Sequence, residues 1–138
     1  MDLRIQSFAE ALDSFAYLVN VDLSVLSATL DPRLIDGLQN GKAQKFEYTM
    51  ELCWKALRVF IKQQEGSDEA SPKKVIKAFY LAGYVPEDDY LELIAAVDDR
   101  NKLSHIYQKP EFDLIVARLP KYAGLLRRVL ATIQKPAT

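Results

Sequence analysis

The sequence predicts an all-α protein, and three observations carry that prediction. Apolar residues recur at helical spacing through most of the chain. No segment alternates apolar and polar residues with β-branched enrichment, so no strand is expected. The 5 glycines and 6 prolines punctuate the periodic segments. Amphipathic segments joined by short loops pack most simply as an up-and-down antiparallel bundle of four to five helices. No repeat or linker divides residues 1–138, so a single domain is expected.

The first helix is expected over about residues 3–20, where Ile5, Phe8, Ala9, Leu12, Phe15, Ala16 and Val19 share one stripe. Residues 22–41 are less regular. They hold Asp31-Pro32 and two glycines, and read as a connection with a short helical turn, irregular over 31–41. A second, long helix follows from about Lys42 to Gln64, with Phe46, Met50, Cys53, Leu57 and Ile61 as its main stripe. Tyr48, Leu52 and Trp54 lie off that stripe, which predicts cover on more than one side. Glu47, Glu51 and Lys55 form a solvated ladder at spacing four. Cys53 reads as an inert packed thiol.

After a polar loop, Ser71 and Pro72 read as an N-cap and first helical residue. The third helix should run to Ala82, with Gly83 as its C-terminal cap. Pro86-Glu87-Asp88-Asp89 opens the fourth helix with carboxylates at the positive end of its dipole, and that helix extends to about His105. The last helix begins near Pro110, and its stripe keeps one phase from Phe112 to Ile133. Pro120 sits inside it and predicts a kink rather than a break. Residues 134–138 should fray.

Composition narrows the function classes. Apolar residues are 49% and charged residues 27%, a globular mix that excludes disorder. No apolar run approaches the ~20 residues that cross a bilayer, so no membrane partner is expected. The first residues carry no secretion signature, which points to the cytoplasm. One cysteine and one histidine leave no internal disulfide and no metal site, and no cofactor is expected. The net charge of −1 argues against a generally basic nucleic-acid-coating protein. That balance is uneven along the chain. Residues 100–138 hold eight basic against two acidic residues, a surplus of +6, while residues 1–99 carry −7.

The fourth helix breaks the amphipathic pattern. Tyr90, Leu93, Ile94 and Val97 form its expected inner stripe, and extending that stripe reaches Asn101 and Ser104. Arg100 and His105 flank it. A polar group on a core-facing stripe must be hydrogen-bonded or wet. One reading is a helix end whose Arg, Lys and His favour the negative dipole. The other is a catalytic or nucleotide-binding patch. An arginine neutralises a phosphate bidentately, and a histidine moves a proton near neutral pH.

The string from Asp99 to Tyr107 (DRNKLSHIY) resembles the R-x4-H-x-Y signature of the HEPN superfamily. Lys45 to Lys55 (KFEYTMELCWK) is similar to the aromatic-rich helix of one HEPN branch, the nucleotidyltransferase substrate-binding protein family. Ser71-Pro72 and Leu119-Pro120-x-Tyr122 follow in that family's order, so the likeness covers about residues 32–133.

The resemblance implies a helical bundle that dimerises and is encoded beside a minimal nucleotidyltransferase, often as a toxin–antitoxin pair. It implies that Arg100 and His105 are catalytic in a metal-independent RNase site at a dimer cleft. Asn101, Lys102, Ser104 and Tyr107 become nucleotide- or substrate-binding positions, with RNA or a nucleotide as ligand. Tyr107 is the residue that the partner modifies with AMP.

The residues set a condition on that chemistry. RNA cleavage needs a base, an acid and a cation for the phosphorane. Arg100 and His105 lie about 140° apart on a helix, so they do not converge as neighbours in one chain. Arg100 of one copy beside His105 of a second copy would meet the need. Three functions stand open: a partner subunit of a nucleotidyltransferase, an RNase toxin silenced at Tyr107, and a nonenzymatic helical dimer.

Overall fold

Six helices and no strand make up residues 2–105 and 108–135, the residues that the computed structural model describes. They are α1 (Leu3–Val19), α2 (Leu23–Leu26), α3 (Pro32–Glu65), α4 (Pro72–Leu81), α5 (Glu87–Leu103) and α6 (Lys109–Gln134). Cross-helix pairs fix the directions. Thr49 Oγ1 of α3 reaches Ala11 O of α1 at 3.4 Å, and Lys45 Nζ reaches Ser14 Oγ at 2.6 Å, so α1 and α3 run antiparallel. Asp89 with Arg128, and Asp99 with Arg118, make α5 and α6 antiparallel.

α3 is the central element, packed against α1, α4, α5 and α6. Its stripe buries Phe46, Met50, Cys53, Leu57 and Ile61. Phe46 stacks on Tyr122 of α6 at 5.3 Å and meets Phe15 of α1 at 5.8 Å. Phe8, Phe15, Phe46 and Phe79 are all 0% exposed. Each contributes about 1.5–3 kcal/mol of transfer free energy. Cys53 is enclosed, and burial pushes its thiol up to about 12, so it stays protonated and unreactive.

The segment expected to be irregular over 31–41 is helical instead. Asp31 caps the N-terminus of α3 by accepting the backbone N–H of Arg33 at 2.8 Å, and Pro32 occupies the first helical position. Gly37 and Gly41 sit inside this helix at a cost of about 1 kcal/mol each. Leu18 of α1 lies over Gly41, while Gly37 has nothing within 4 Å of where a Cβ would sit. The expected short turn is α2.

Other boundaries are sharper than the sequence implied. Ser71 holds the N-cap position of α4 without a side-chain hydrogen bond. At its other end Gly83 adopts φ 89° and donates to Tyr80 O at 2.9 Å. Tyr84 donates to Phe79 O at 3.2 Å while its ring stacks on Phe79 at 5.3 Å. Both bonds and the apolar contact define a Schellman cap. α6 runs unbroken through Pro120, which faces outward, and Gln134 is still helical.

Candidate functional site

The C-terminal half of α5 carries three differently occupied faces. Leu93, Ala96 and Val97 enter the core, and Asp99 goes in with them at 4% exposure. Asn101 and Ser104, expected on the inner stripe, are exposed. The inner face is therefore rotated from the Tyr90–Ile94 side toward Ala96. Asp99 can be buried because its carboxylate is fully engaged. Arg118 donates from Nε to Oδ2 at 2.8 Å and from Nη2 to Oδ1 at 3.0 Å. The Tyr122 hydroxyl donates to Oδ2 at 2.6 Å. Burial, then the bond to Asp99, pushes the Tyr122 phenol well above its ordinary value.

A second face turns Arg100 toward α3. Its Nη2 donates to Glu51 Oε2 at 2.7 Å. Glu51 also accepts from Trp54 Nε1 at 3.1 Å and pairs with Lys55 at 3.1 Å. Burial alone would raise the Glu51 carboxyl. The bonds from Trp54 and Lys55 and the charge of Arg100 outweigh it and hold the carboxyl below its usual value. Glu47 responds oppositely: burial raises it against the charge of Arg100. The expected solvated ladder on α3 is thus a half-buried seat for Arg100.

The third face is open. Asp98, Asn101, Lys102 and His105 line a surface furrow of about 410 Å³ together with Glu111 of α6. His105 closes the last turn of α5 by donating its backbone N–H to Lys102 O at 2.9 Å. The structure thus brings Asn101, Lys102 and His105 together. It places Arg100 on a separate face and Ser104 at the C-cap, outside the furrow lining. Tyr107 lies outside the described residues. Chemically, the furrow offers an imidazole, an ammonium and an amide to a ligand, with two carboxylates beside them. The guanidinium of Arg100 is already held by Glu51.

The basic surplus of residues 100–138 is largely consumed within the chain. Arg100, Arg118, Lys121, Arg127 and Arg128 each meet a carboxylate from residues 1–99. The two charge segments noted in the sequence are joined to each other across helix interfaces.

With this geometry in place, comparison with known proteins decides the family. Residues 3–135 match the pattern described as nucleotidyltransferase substrate binding protein like. The chain belongs to that family. A solved protein of Thermus thermophilus is 30% identical with a TM-score of 0.80, over 93% of this chain and 99% of its own. A HEPN toxin of Shewanella oneidensis, solved tri-AMPylated and in complex with an MNT antitoxin, shares the fold. Its TM-score is 0.77 at 15% identity, over 97% of this chain and 98% of its own. No curated protein matches this sequence.

For this nucleotidyltransferase substrate-binding-like protein, sequence reasoning missed Asp99, Glu51, Arg118 and Tyr122 as parts of the motif's surroundings. One signal was available: Arg118 and Tyr122 are four apart on α6 and so share a face. Among the described residues no helix is long and apolar enough to cross a membrane.

Proposed function

We propose that this protein is the substrate-binding partner subunit of a minimal nucleotidyltransferase, in a two-gene module of toxin–antitoxin type. The observation that carries this reading is the family match over residues 3–135. The HEPN toxin of the same fold, solved with an MNT antitoxin, supports it. On this reading the open face of α5, with Asn101, Lys102, Ser104 and His105 exposed, leads the chain to Tyr107, where the partner transfers AMP. The phenol oxygen of Tyr107 would displace diphosphate from ATP and lose its proton. The product adds negative charge and bulk at Tyr107.

A second reading is favoured by one feature. His105 is exposed while Arg100 is turned to α3. A metal-independent RNase site would then need two chains, with His105 of one copy and Arg100 of the other meeting across a two-fold axis. Release of Arg100 from Glu51 would precede phosphate binding. The pair would work in the cytoplasm, and AMP on Tyr107 would silence it. A nonenzymatic helical dimer is the remaining reading.

One experiment separates the three. The chain is expressed alone and with its chromosomal neighbour, beside His105→Ala, and growth, RNA integrity, co-purification and intact mass are followed. Co-purification with normal growth and intact RNA fits a partner subunit without RNase activity. Growth arrest and RNA loss that His105→Ala abolishes fit the RNase. A neighbour that is a nucleotidyltransferase yet neither co-purifies nor adds AMP would overturn the partner reading.

A further inference from the structure

A second depression, about 680 Å³ in volume, lies between the start of α1 and the C-terminal half of α3, apart from the α5 furrow. Trp54, Lys55, Arg58 and Lys62 line it from α3, and Arg4 from α1. Their spacing puts the α3 residues on one face of that helix. Asp2 and Asp68 are the carboxylates on its wall, and Lys55 is already paired with Glu51 at 3.1 Å, so Arg4, Arg58 and Lys62 are the cations that face them. Asp2 is occupied in capping α1, where it accepts the Arg4 backbone N–H at 2.7 Å.

Asp68 is the informative one. It reaches in from the loop after α3, accepts Arg58 Nε at 2.9 Å and lies 3.7 Å from Lys62 Nζ. The hydrogen bond from Arg58, with Lys62 adding to it, holds its carboxyl below the usual range. A guanidinium and an ammonium thus already converge on one oxyanion, which the chain itself supplies. Trp54, the chain's one tryptophan, is half-buried beside them, with its ring oriented by the bond from Nε1 to Glu51. An aromatic face next to convergent cations is the arrangement that takes a base together with its phosphates. The volume falls within the range of roughly 300–1,000 Å³ typical of small-molecule sites.

We propose that this groove binds a nucleoside di- or triphosphate, whose phosphates replace the Asp68 carboxylate on Arg58 and Lys62 while its base lies against Trp54. The site shares no lining residue with the α5 furrow, and it does not require the nucleotidyltransferase.

The test uses the full chain alone, so its outcome is separable from that of the partner experiment. Trp54 fluorescence is followed as ATP, inorganic triphosphate or adenosine is added at low ionic strength. ATP is expected to change the emission saturably, inorganic triphosphate to compete, and adenosine to bind at least tenfold more weakly. Arg58→Ala with Lys62→Ala should weaken ATP binding tenfold or more at unchanged helicity. Asp68→Asn, which removes the resident anion and keeps both cations, should tighten it severalfold. Raising the salt should weaken it, as screening of phosphate contacts requires. No saturable change with ATP, or binding that Asp68→Asn leaves the same or weakens, would overturn the proposal.

Discussion

Asp99 is the residue on which the α5–α6 junction turns, and its setting makes a pH prediction. A lone carboxylate at 4% exposure would be costly. Here a forked guanidinium and a phenol satisfy it. The Tyr122 phenol titrates above its ordinary 10.0 in the folded state. Above about pH 10 the unfolded chain therefore releases this proton first, and stability falls as pH rises. Tyr122→Phe should cost about 1–2 kcal/mol at pH 7 through the lost hydrogen bond. It should also flatten the decline between pH 9 and 11. Urea unfolding of both proteins across that range checks this, and parallel declines would show that Tyr122 is not the titrating group. Helical spacing shows only that Arg118 and Tyr122 share a face of α6, and not that Asp99 is their partner. They lie 19 and 23 residues from Asp99, on another element. A wheel drawn on α5 alone placed Asn101 and Ser104 inward, because it had no means of knowing that an acid would be the buried group.

Among the elements, α3 shows what local sequence signals can and cannot decide. Asp31-Pro32 fits both a turn and a helix start, and the two glycines that follow tilt the reading toward a loop. The Asp31 cap on the Arg33 N–H and the continuous helix from Pro32 settle it the other way. The termini of α1, α4 and α5 were legible to within a residue or two, since caps and stripe ends coincide there. The glycines then diverge in consequence. A Cβ added at Gly37 meets nothing within 4 Å, and the backbone is helical. Gly37→Ala should stabilise the protein by about 0.5–1 kcal/mol. Gly83 holds φ 89° in the cap of α4, so Gly83→Ala should cost about 1–2 kcal/mol. Thermal unfolding should place the two variants on opposite sides of the parent, and a shift in the same direction would contradict the helical assignment of residues 32–41.

For the molecule as a whole, charge is used as cross-bracing. Arg127 pairs with Asp13 of α1, Arg128 with Asp89 of α5, Lys121 with Glu92 of α5, and Lys73 of α4 with Asp98 of α5. These pairs are partly exposed, so each is worth about 0.2–1 kcal/mol. Raising sodium chloride from about 0.05 to about 0.5 M shortens the Debye length from roughly 14 to roughly 4 Å and should lower the melting temperature by a few degrees. A melting temperature that holds or rises with salt would mean that these pairs do not brace the bundle. The sequence made the uneven charge visible. It could not show that the acidic and basic segments lie against each other, because that depends on which helices are neighbours.

The same bracing has a consequence for recognition. α5 is tied to three different helices within three consecutive residues: Asp98 to Lys73, Asp99 to Arg118 and Arg100 to Glu51. A ligand or protein that meets the outer face of this helix finds its backbone already fixed. The entropy of ordering that segment was met during folding, and only a few exposed side chains remain to be immobilised at about 0.5–1.5 kcal/mol each. Removing one tie would tax association at a distance, through lost preorganisation, without touching any atom that the visitor contacts.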